Sequence, residues 1–480
     1  MVEPTSHAVP LDELLAAALE PSLGTIRVEG LRRLTGGASR ETWSFDAVLD
    51  DGSTRPLILR RDPPGRPGPP GSMGREARCI AAASDAGLPV PEVLVHHDDV
   101  ALLGAAGIVM ARVEGETIAR KLLRDDRYAH ARDGLVAACG AALAGIHTLD
   151  PSLVGDDPPS SFGATDQEAV EAPDPLAEMR AALDSLGRST PVFEYALRWL
   201  ANHRPPPSSA PSLVHGDFRL GNLMVDDDGL VAVLDWELVH RGDPAEDLGW
   251  FCVRAWRFGA PAPVAGMGER DELLAAYRAA GGPDITPEVL RWWEVYGTLR
   301  WGVICMVQTA VFLGGKIPSV ELAAIGRRVC ETEWDLLLLI APEAVDAALA
   351  AHAERPEVDT DVALAAAEGD LHGRPTAVDL LGAVSSFLRD EVVAAGQGGT
   401  SFHARIAANV VDQVARELAS GESQRARRSL ALAAWDLSDE TALAAAVRDG
   451  SVGSVISGDL LDLLAEGVLD RLLVANPRYL

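Results

Sequence analysis

Lysine is almost missing from this chain of 480 residues, and with it any excess of positive charge. Lys121 and Lys316 are the two lysines, arginine supplies the other basic side chains, and the formal net charge is -29. A nucleic-acid-binding protein needs clustered cations against the phosphate backbone, and an anionic membrane surface would repel so acidic a chain. We therefore expect neither partner. Dispersed acidic residues keep a protein soluble, and attraction of a cationic substrate is the alternative interpretation.

Cysteine is scarce and scattered, which excludes two kinds of stabilising site. The sequence contains five cysteines: Cys79, Cys139, Cys252, Cys305 and Cys330. Their odd number, wide spacing and lack of a CxxC pair exclude a disulfide framework and a cysteine-based zinc site. Such cysteine usage is typical of a reducing compartment.

Neither a secretory signal nor a long apolar run is evident. The first 20 residues lack the basic start and the apolar core of a signal peptide. The most apolar later stretch, residues 301–315, is shorter than a membrane span and contains Gln308, so we predict a buried helix there. Together with the cysteine usage, these features lead us to expect a cytoplasmic protein.

The composition provides enough apolar material for more than one core. Hydrophobic residues make up 48% of the chain and charged residues 24%, as in folded proteins, and the length indicates two or three domains. The periodicity predicts an α+β chain. Strands concentrate in residues 1–112, helices dominate residues 113–349, residues 350–373 are a weakly patterned linker, and residues 374–480 form a separate all-helical domain.

Individual elements are predicted within these segments from alternation, helical spacing and turn residues. The predicted strands are residues 26–34, 41–50, 55–61 and the start of 106–118. The predicted helices are residues 11–19, 74–88, 134–150 and 291–313, followed by four amphipathic segments at 377–394, 402–419, 429–448 and 460–474.

The stretch LVHGDFRLGNLMVDDDGLVAVLDWE, residues 213–237, is a β segment within the helical half of the chain. Its DDDG sequence at 226–229 predicts a hairpin turn between two short apolar strands. Pairing outward from that turn places Asn222 opposite Val233 and Asp235 beside it, and adjacent strands lie about 5 Å apart. One hard cation such as Mg²⁺ could reach both side chains, with waters and phosphates completing its shell.

Two further polar residues precede Asn222 on the same loop. Asp217 lies five residues earlier, where a carboxylate can face a metal site and accept a hydroxyl proton during phosphoryl transfer. His215 is better suited to holding the loop through hydrogen bonds. The alternative is that a hairpin on an unrelated fold carries these residues.

HGDFRLGN followed by LDWE resembles the catalytic and metal-binding loops of the aminoglycoside phosphotransferase family, to which choline-kinase-like enzymes are related. The resemblance spans residues 10–345 and implies a two-lobed, protein-kinase-like fold with a small β-rich N-lobe and a mostly helical C-lobe. It implies Asp217 as the catalytic base and Asn222 and Asp235 as magnesium ligands. ATP, or alternatively GTP, would be the phosphate donor.

The residues after the metal-binding Asp bear both on loop motion and on loop support. Protein kinases have Phe-Gly there, whereas this chain has Trp236 and Glu237, so a kinase-style flip of the loop is not implied. The later GDPAEDLGW run also resembles the family, and we expect its Asp243 and Asp247 to support the catalytic loop together with His215.

The resemblance extends to the β-rich segment, where the nucleotide would bind. Gly36, Gly37 and Ser39 lie between two predicted strands, where small residues let backbone N–H groups approach phosphates; an ordinary turn is the alternative. Met110 and Ala111 fall where the family hinge meets the adenine base, although a buried strand end explains their apolar character equally well.

An arginine occupies the position of the family lysine. In the family a strand Lys contacts the nucleotide phosphates and pairs with a helix Glu, and the matching positions here are Arg60 and Glu76. Arg binds phosphate well, through two nitrogens, but it is bulkier than Lys. Arg61 could take the same role, but strand alternation directs one of the two inward, and we favour Arg60.

The acceptor is less well defined than the donor. LILRRDPPG and the RWG-containing helix are similar to phosphotransferases related to the kinase domain fused to some acyl-CoA dehydrogenases, which are associated with hydroxyacyl-CoA chemistry. The first hypothesis is therefore a kinase of a small hydroxylated molecule such as a hydroxyacyl-CoA, favoured by an Arg-lined groove. The second is an aminoglycoside kinase, favoured by an acidic pocket. The third is a non-catalytic nucleotide-binding regulator, which the retained Asp217, Asn222 and Asp235 argue against.

The C-terminal domain resembles an uncharacterised helical domain attached to such kinase-like chains. GRPTAVDLLGAVSSFLRDEV and the terminal VANPRYL carry that likeness. We expect its apolar faces to pack together or against the kinase region, with a protein partner or a dimer contact as the alternative.

Overall fold

The computed structural model describes residues 9–34, 40–63, 68–98, 100–155, 174–206, 210–355, 375–452 and 457–480. The strands are β1 Ile26–Leu34, β2 Glu41–Leu49, β3 Thr54–Arg61, β4 Val93–His97, β5 Gly107–Ala111, β6 Ser212–Val214, β7 Leu223–Val225, β8 Leu230–Val233 and β9 His240–Gly242. The helices of the first 300 residues are α1 Leu11–Leu23, α2 Ser72–Asp85, α3 Val100–Leu103, α4 Ala119–Arg124, α5 Ala129–His147, α6 Pro175–Ser185, α7 Pro191–Asn202, α8 Ala245–Cys252, α9 Arg270–Ala279 and α10 Pro287–Leu313. The remaining helices are α11 Val320–Ile325, α12 Val329–Ile340, α13 Pro342–Ala353, α14 Ala377–Phe387, α15 Gly399–Ala433, α16 Glu440–Asp449 and α17 Gly458–Ala475.

Contacts divide the chain into two compact units. The first comprises Met1–Ala172 and Pro206–Glu294, and the second comprises Pro173–Pro205 and Val295–Leu480. These bounds differ from the predicted segment boundaries after residues 112 and 349, because strands β1 to β5 and the hairpin of β7 and β8 belong to the same unit. The predicted linker at 350–373 lies mostly outside the described residues, so the linker stays a prediction.

The first unit contains a five-stranded antiparallel sheet in the order β1-β2-β3-β5-β4. The predicted strands are confirmed, whereas the sequence analysis missed β4 because VLVHH is short and ends in two histidines. Helix α1 packs on one side of the sheet with Leu15, Phe45 and Leu59 fully buried. Met73 of α2 packs with Met110 in a separate cluster. The residues of β3 alternate between these two environments, which sets the direction of its arginines.

A β-bulge shifts the β7–β8 hairpin from the predicted register. Leu223 pairs with Val233 and Met224 with Ala232, but Val225 pairs with Leu230. Val231 is therefore an extra residue in β8, and it displaces the register by one position. Asn222 therefore lies beside Leu234, whose N–H donates to the Asn222 carbonyl at 2.8 Å. The prediction that Asn222 faces Val233 was wrong by one residue, but Asp235 still follows directly.

Helices α5 and α9 pack closely beneath this hairpin. A Cβ atom on Gly140 would lie 3.0 Å from both the Cβ of Ala276 and the N of Tyr277, so the two helices approach at a residue without a side chain. Leu143 and Leu273 are fully buried in the same core. The predicted helix at 134–150 is confirmed and begins earlier, at Ala129.

Helix α10 is long and apolar enough to cross a membrane by length and composition, and 61% of its most apolar window is buried, as in the core helix of a soluble protein. The predicted buried helix is correct for its first part, where Val303 and Cys305 are buried. The expectation fails at the other end, because Leu313 is 72% exposed.

The second unit includes the C-terminal helices. The predicted segments 402–419 and 429–448 are wrong in their division, since α15 continues without a break through Ala433. The chain turns instead at Asp436, whose φ is +56°, and Asp439 caps the start of α16 by accepting from the N–H of Ala442. The helical region is as predicted, but its boundaries follow caps and not the apolar pattern.

Candidate functional site

Three side chains hold Asp217 on the loop between β6 and β7. Asn222 Nδ2 donates to Asp217 Oδ2 at 2.7 Å and to its backbone carbonyl at 2.9 Å. Trp250 Nε1 donates to Oδ1 at 2.9 Å, and Arg219 Nε donates to both oxygens, at 3.0 and 3.1 Å. The carboxylate is thus fixed in position at the surface of the core, with its side chain 15% exposed.

Asp247 supports the loop from below. Its carboxylate accepts the backbone N–H of His215 at 2.7 Å and that of Gly216 at 2.9 Å. His147 Nε2 lies 3.1 Å from the same carboxylate, and His147 Nδ1 lies 2.7 Å from the Tyr277 hydroxyl. Complete burial by itself raises the pKa of Asp247. The hydrogen bond and charge of His147 lower it by more, so the pKa lies below its ordinary value.

The predicted supporting residues divide between two places. His215 is fully buried, accepts the N–H of Asp217 at Nδ1 and lies 3.1 Å from the Leu234 carbonyl at Nε2, so it joins the catalytic loop to the hairpin. Asp247 supports that loop as predicted in geometry. Asp243 accepts the Ala245 N–H at 2.9 Å and so orders the start of α8.

Asp235 follows β8 in a strained conformation. Its φ is +64°, which a residue other than glycine seldom adopts and which occurs often at functional positions. Arg60 Nη2 donates to its Oδ1 at 2.7 Å. Burial raises the pKa of the Asp235 carboxyl, but the charge and hydrogen bond of Arg60 lower it by more, so Asp235 is held ionised.

Two arginines share the buried carboxylate of Glu76. Arg60 Nη1 donates to Glu76 Oε1 at 2.8 Å, and Arg40 Nη1 donates to Oε2. Glu76 is 1% exposed, so it needs both charge partners. The choice between the two β3 arginines is settled by direction, because Arg61 pairs with Glu41 at 3.1 Å on the other side of the strand.

Carboxylates outnumber guanidiniums around Arg40 and Arg60. Arg40 Nε lies 3.7 Å from Asp62 and 3.9 Å from Glu237, and Arg60 Nη2 lies 4.0 Å from Glu237. With Glu76 and Asp235, four carboxylates therefore surround two arginines. This excess of negative charge suits a cation, while the arginines suit phosphate oxygens.

Magnesium fits the groups that surround Asp235. Asn222 donates to Asp217 through its side-chain nitrogen Nδ2, so the side-chain oxygen Oδ1 of Asn222 is directed elsewhere. Oxygen is the ligand atom that a hard cation prefers. Among the described residues there is no cluster of three or more His, Cys, Asp or Glu able to hold a metal. Asn222 and Asp235 would supply two oxygen ligands, and phosphates and water would complete the shell.

The structure brings together Asp217, Asn222, Asp235, Arg60 and Glu76. The Ala111 N–H donates to the Glu92 carbonyl at 2.8 Å, and Met110 is buried against Met73. The adenine contact expected at Met110 and Ala111 stays a prediction. Gly36, Gly37 and Ser39 lie outside the described residues.

Three site residues were missed by the sequence analysis: Arg40, Arg219 and Trp250. Arg40 follows the glycine-rich stretch directly, and a basic residue at that point is a signal for phosphate contact. Arg219 lies two residues after Asp217 inside the motif, so its contact with Asp217 could have been predicted from the sequence. Trp250 gave no signal, because its contact with Asp217 depends on how α8 packs.

Comparisons with known proteins agree with this geometry. Residues 31–293 match the phosphotransferase enzyme family (APH), and residues 394–479 match a domain of unknown function (DUF6285). Acyl-CoA dehydrogenase family member 10 of Mus musculus is 33% identical over 250 residues, which cover 51% of this chain and 22% of that protein. Acyl-CoA dehydrogenase family member 11 of Homo sapiens is 27% identical over 299 residues, which cover 58% of this chain and 37% of that protein.

A solved structure shows the shared fold. The Ralstonia eutropha JMP134 protein, assigned to the aminoglycoside phosphotransferases, superposes with a TM-score of 0.52 at 20% identity, covering 68% of this chain and 97% of that chain. The predicted two-lobed α+β fold and the additional C-terminal helical region are confirmed. The chain spans less than half of the length of the two acyl-CoA dehydrogenase relatives. Because the family match covers more than half of its own length, this chain belongs to the phosphotransferase enzyme family.

Proposed function

We propose that this protein is a magnesium-dependent small-molecule kinase, which transfers the γ-phosphoryl group of ATP, or alternatively of GTP, to an acceptor hydroxyl. One observation carries the proposal: the Asp217 carboxylate is held by Asn222 in the same site where Arg60 joins Glu76 to Asp235. These groups provide a proton acceptor, oxygen ligands and phosphate contacts together.

The residues divide the work of the transfer. The acceptor oxygen attacks the γ-phosphorus, the bond from that phosphorus to the oxygen bridging to the β-phosphate breaks, and ADP leaves. Asp217 accepts the hydroxyl proton. Magnesium, held by Asn222 and Asp235, would neutralise charge on the phosphates. Arg60 and Arg40 face the same phosphates and position them.

The surroundings of Asp217 favour an anionic or neutral acceptor over a polycationic aminoglycoside. Arg219 lies against the base, and its guanidinium carbon is 5.1 Å from the ring centre of Trp256. Trp250 and Trp256 lie 5.2 Å apart, ring centre to ring centre. The Arg219 guanidinium next to the reacting hydroxyl would repel a cationic amine. Together with the names of the relatives, this supports a hydroxyacyl thioester as the acceptor.

Two alternatives remain testable. An aminoglycoside kinase has its support in the family and in the acidic charge of the chain. A non-catalytic regulator has its support in the replacement of the family lysine by Arg60. The buried free cysteines support a reducing, cytoplasmic setting for any of the three.

The deciding experiment measures ADP release from magnesium-ATP in the presence of a panel of hydroxyacyl-CoA esters and aminoglycosides. The proposal expects release that depends on a hydroxyacyl ester and disappears in Asp217→Asn. Release that depends on an aminoglycoside instead selects the second function. Tight magnesium-ATP binding with no turnover on either class, and no change in Asp217→Asn, would contradict the proposal and select the regulator.

A further inference from the structure

The base has no free position for an acceptor hydroxyl. An ionised carboxylate offers about four lone-pair sites. On Asp217, Trp250 and Arg219 occupy Oδ1, and Asn222 and Arg219 occupy Oδ2. A hydroxyl that gives its proton to Asp217 must first replace one of these donors.

Arg219 is the donor that can leave. Asn222 is 6% exposed and Trp250 is 3% exposed, and Asn222 is also tied to the Asp217 backbone. The Arg219 side chain is 27% exposed and holds both oxygens through the single Nε–H. Within the part of the chain that the structure describes, its two Nη groups make no hydrogen bond, so they are free to bind another anion.

Gly221 leaves room for the Arg219 guanidinium beside Asp217, because it has no side chain. A Cβ atom on Gly221 would lie 2.6 Å from Arg219 Nη1. Since Nη1 is the far end of a flexible side chain, alanine at 221 would displace the guanidinium without removing its charge. The chain therefore offers one variant that removes the charge and a second that moves it.

We propose that Arg219 is a movable cover of the base, which leaves Asp217 for an oxyanion that the bound substrates bring to the site. This inference rests on the proposed function and deepens it. A guanidinium does not leave a carboxylate for a neutral group, because it would lose its charge partner inside a partly buried site. The oxyanion is either the transferred phosphoryl group or, where the acceptor is a free hydroxy acid in place of its thioester, the acceptor carboxylate. A substrate pair that brings no oxyanion to this position leaves the base covered.

Binding measurements separate the two sources without the need for turnover. Calorimetry on the full chain with magnesium compares AMP-PNP with ADP, and then 3-hydroxybutyrate with the neutral 1,3-butanediol in the presence of ADP. If the phosphoryl group is the partner, Arg219→Gln weakens AMP-PNP about tenfold or more and ADP less than about twofold. If an acceptor carboxylate is the partner, the same variant weakens 3-hydroxybutyrate about tenfold and leaves both nucleotides and the diol unchanged.

Gly221→Ala is the matched variant, and the folded state of each protein is checked by thermal unfolding. The proposal expects Gly221→Ala to keep the selective affinity that Arg219→Gln loses, because the charge remains and is already displaced. An equal loss for every ligand, no loss in Arg219→Gln, or the same selective loss in Gly221→Ala would each overturn it. Failure of the proposed kinase function is a different result, since it appears as absent ADP release in the wild-type protein.

Discussion

Arg60 Nη2 lies 2.7 Å from Asp235 Oδ1, while Nη1 of the same guanidinium lies 2.8 Å from Glu76. One side chain thus joins strand β3, helix α2 and Asp235, which is the second residue after β8. The two arms of a guanidinium reach two carboxylates in fixed directions, which a lysine ammonium does less well. The arginine at the family lysine position therefore holds the nucleotide side of the site together.

Arg60→Lys tests this bridging role. We expect the lysine to keep one of the two carboxylates, so the free energy of unfolding falls by about 1–2 kcal/mol, the range for a lost bond to a charged group in a partly exposed site. Magnesium-ATP affinity should also fall. Chemical denaturation and calorimetry measure the two effects, and Arg61→Lys on the same strand is the control for nucleotide binding. Equal nucleotide affinity in both variants would count against the role of Arg60.

Asp217 and Asp235 should differ in which step they affect. Asp217→Asn is close to isosteric but removes the proton acceptor, so we expect turnover to fall about 10²–10⁴-fold with magnesium-ATP binding within about twofold. Asp235→Asn should weaken magnesium-dependent nucleotide binding, because it removes the carboxylate ligand. Titration of nucleotide with and without magnesium separates the variants. Wild-type turnover in Asp217→Asn would contradict the assignment of the base.

Acid should remove the stability that Asp235 contributes. Its pKa in the folded protein lies below the ordinary value, because Arg60 outweighs the effect of burial. A carboxyl with a lowered folded pKa adds stability above its unfolded pKa, near 4, and loses it as pH falls through the folded value. The difference in unfolding free energy between wild type and Asp235→Asn should be constant from about pH 5 to 8 and shrink below about pH 4. A difference in unfolding free energy that grows as the pH falls would contradict a lowered pKa of Asp235 in the folded protein.

The sequence predicted those parts of the site that depend on spacing along the chain. Asp217 and Asn222 lie on one short loop, and Asp235 follows a recognisable hairpin, so local geometry brings them together. Arg60 was correctly preferred over Arg61 because strand alternation is local too. The contact of Trp250 with Asp217 and the hydrogen bond from the Ala111 N–H to Glu92 depend on packing between separate elements, which leaves no local pattern in the sequence. The bulge in β8 could not be predicted from the sequence either, because VAV has the pattern of a regular strand.

Asp247→Asn tests the support beneath the catalytic loop. An amide offers one oxygen where the carboxylate accepts the N–H groups of both His215 and Gly216. One buried N–H then loses its acceptor, and we expect unfolding free energy to fall by about 1–3 kcal/mol and turnover to fall with it. Asp228→Asn is the control, because this exposed turn residue should stay within about 0.5 kcal/mol. Equal stability of the two variants would contradict the support.

The C-terminal residues should stabilise helix α12 in the second unit. The Tyr479 hydroxyl donates to Asp335 at 2.6 Å, and Asn476 Nδ2 donates to Glu331 at 2.9 Å. Both carboxylates are at most 5% exposed. Each of these two bonds should contribute about 1–2 kcal/mol, so deletion of residues 476–480 should lower the free energy of unfolding by about 2–4 kcal/mol.

Tyr479→Phe separates the hydroxyl from the ring, and we expect it to account for about 1–2 kcal/mol of the loss caused by the deletion. Arg478→Ala changes an exposed neighbour and should have little effect. Denaturation of the full chain and of each variant measures these differences. If the deletion leaves stability unchanged, α12 does not depend on the tail, and the buried carboxylates Glu331 and Asp335 are satisfied without it. If the loss appears, the C-terminal helical domain is required for the stability of the helices it packs with, whatever else it binds.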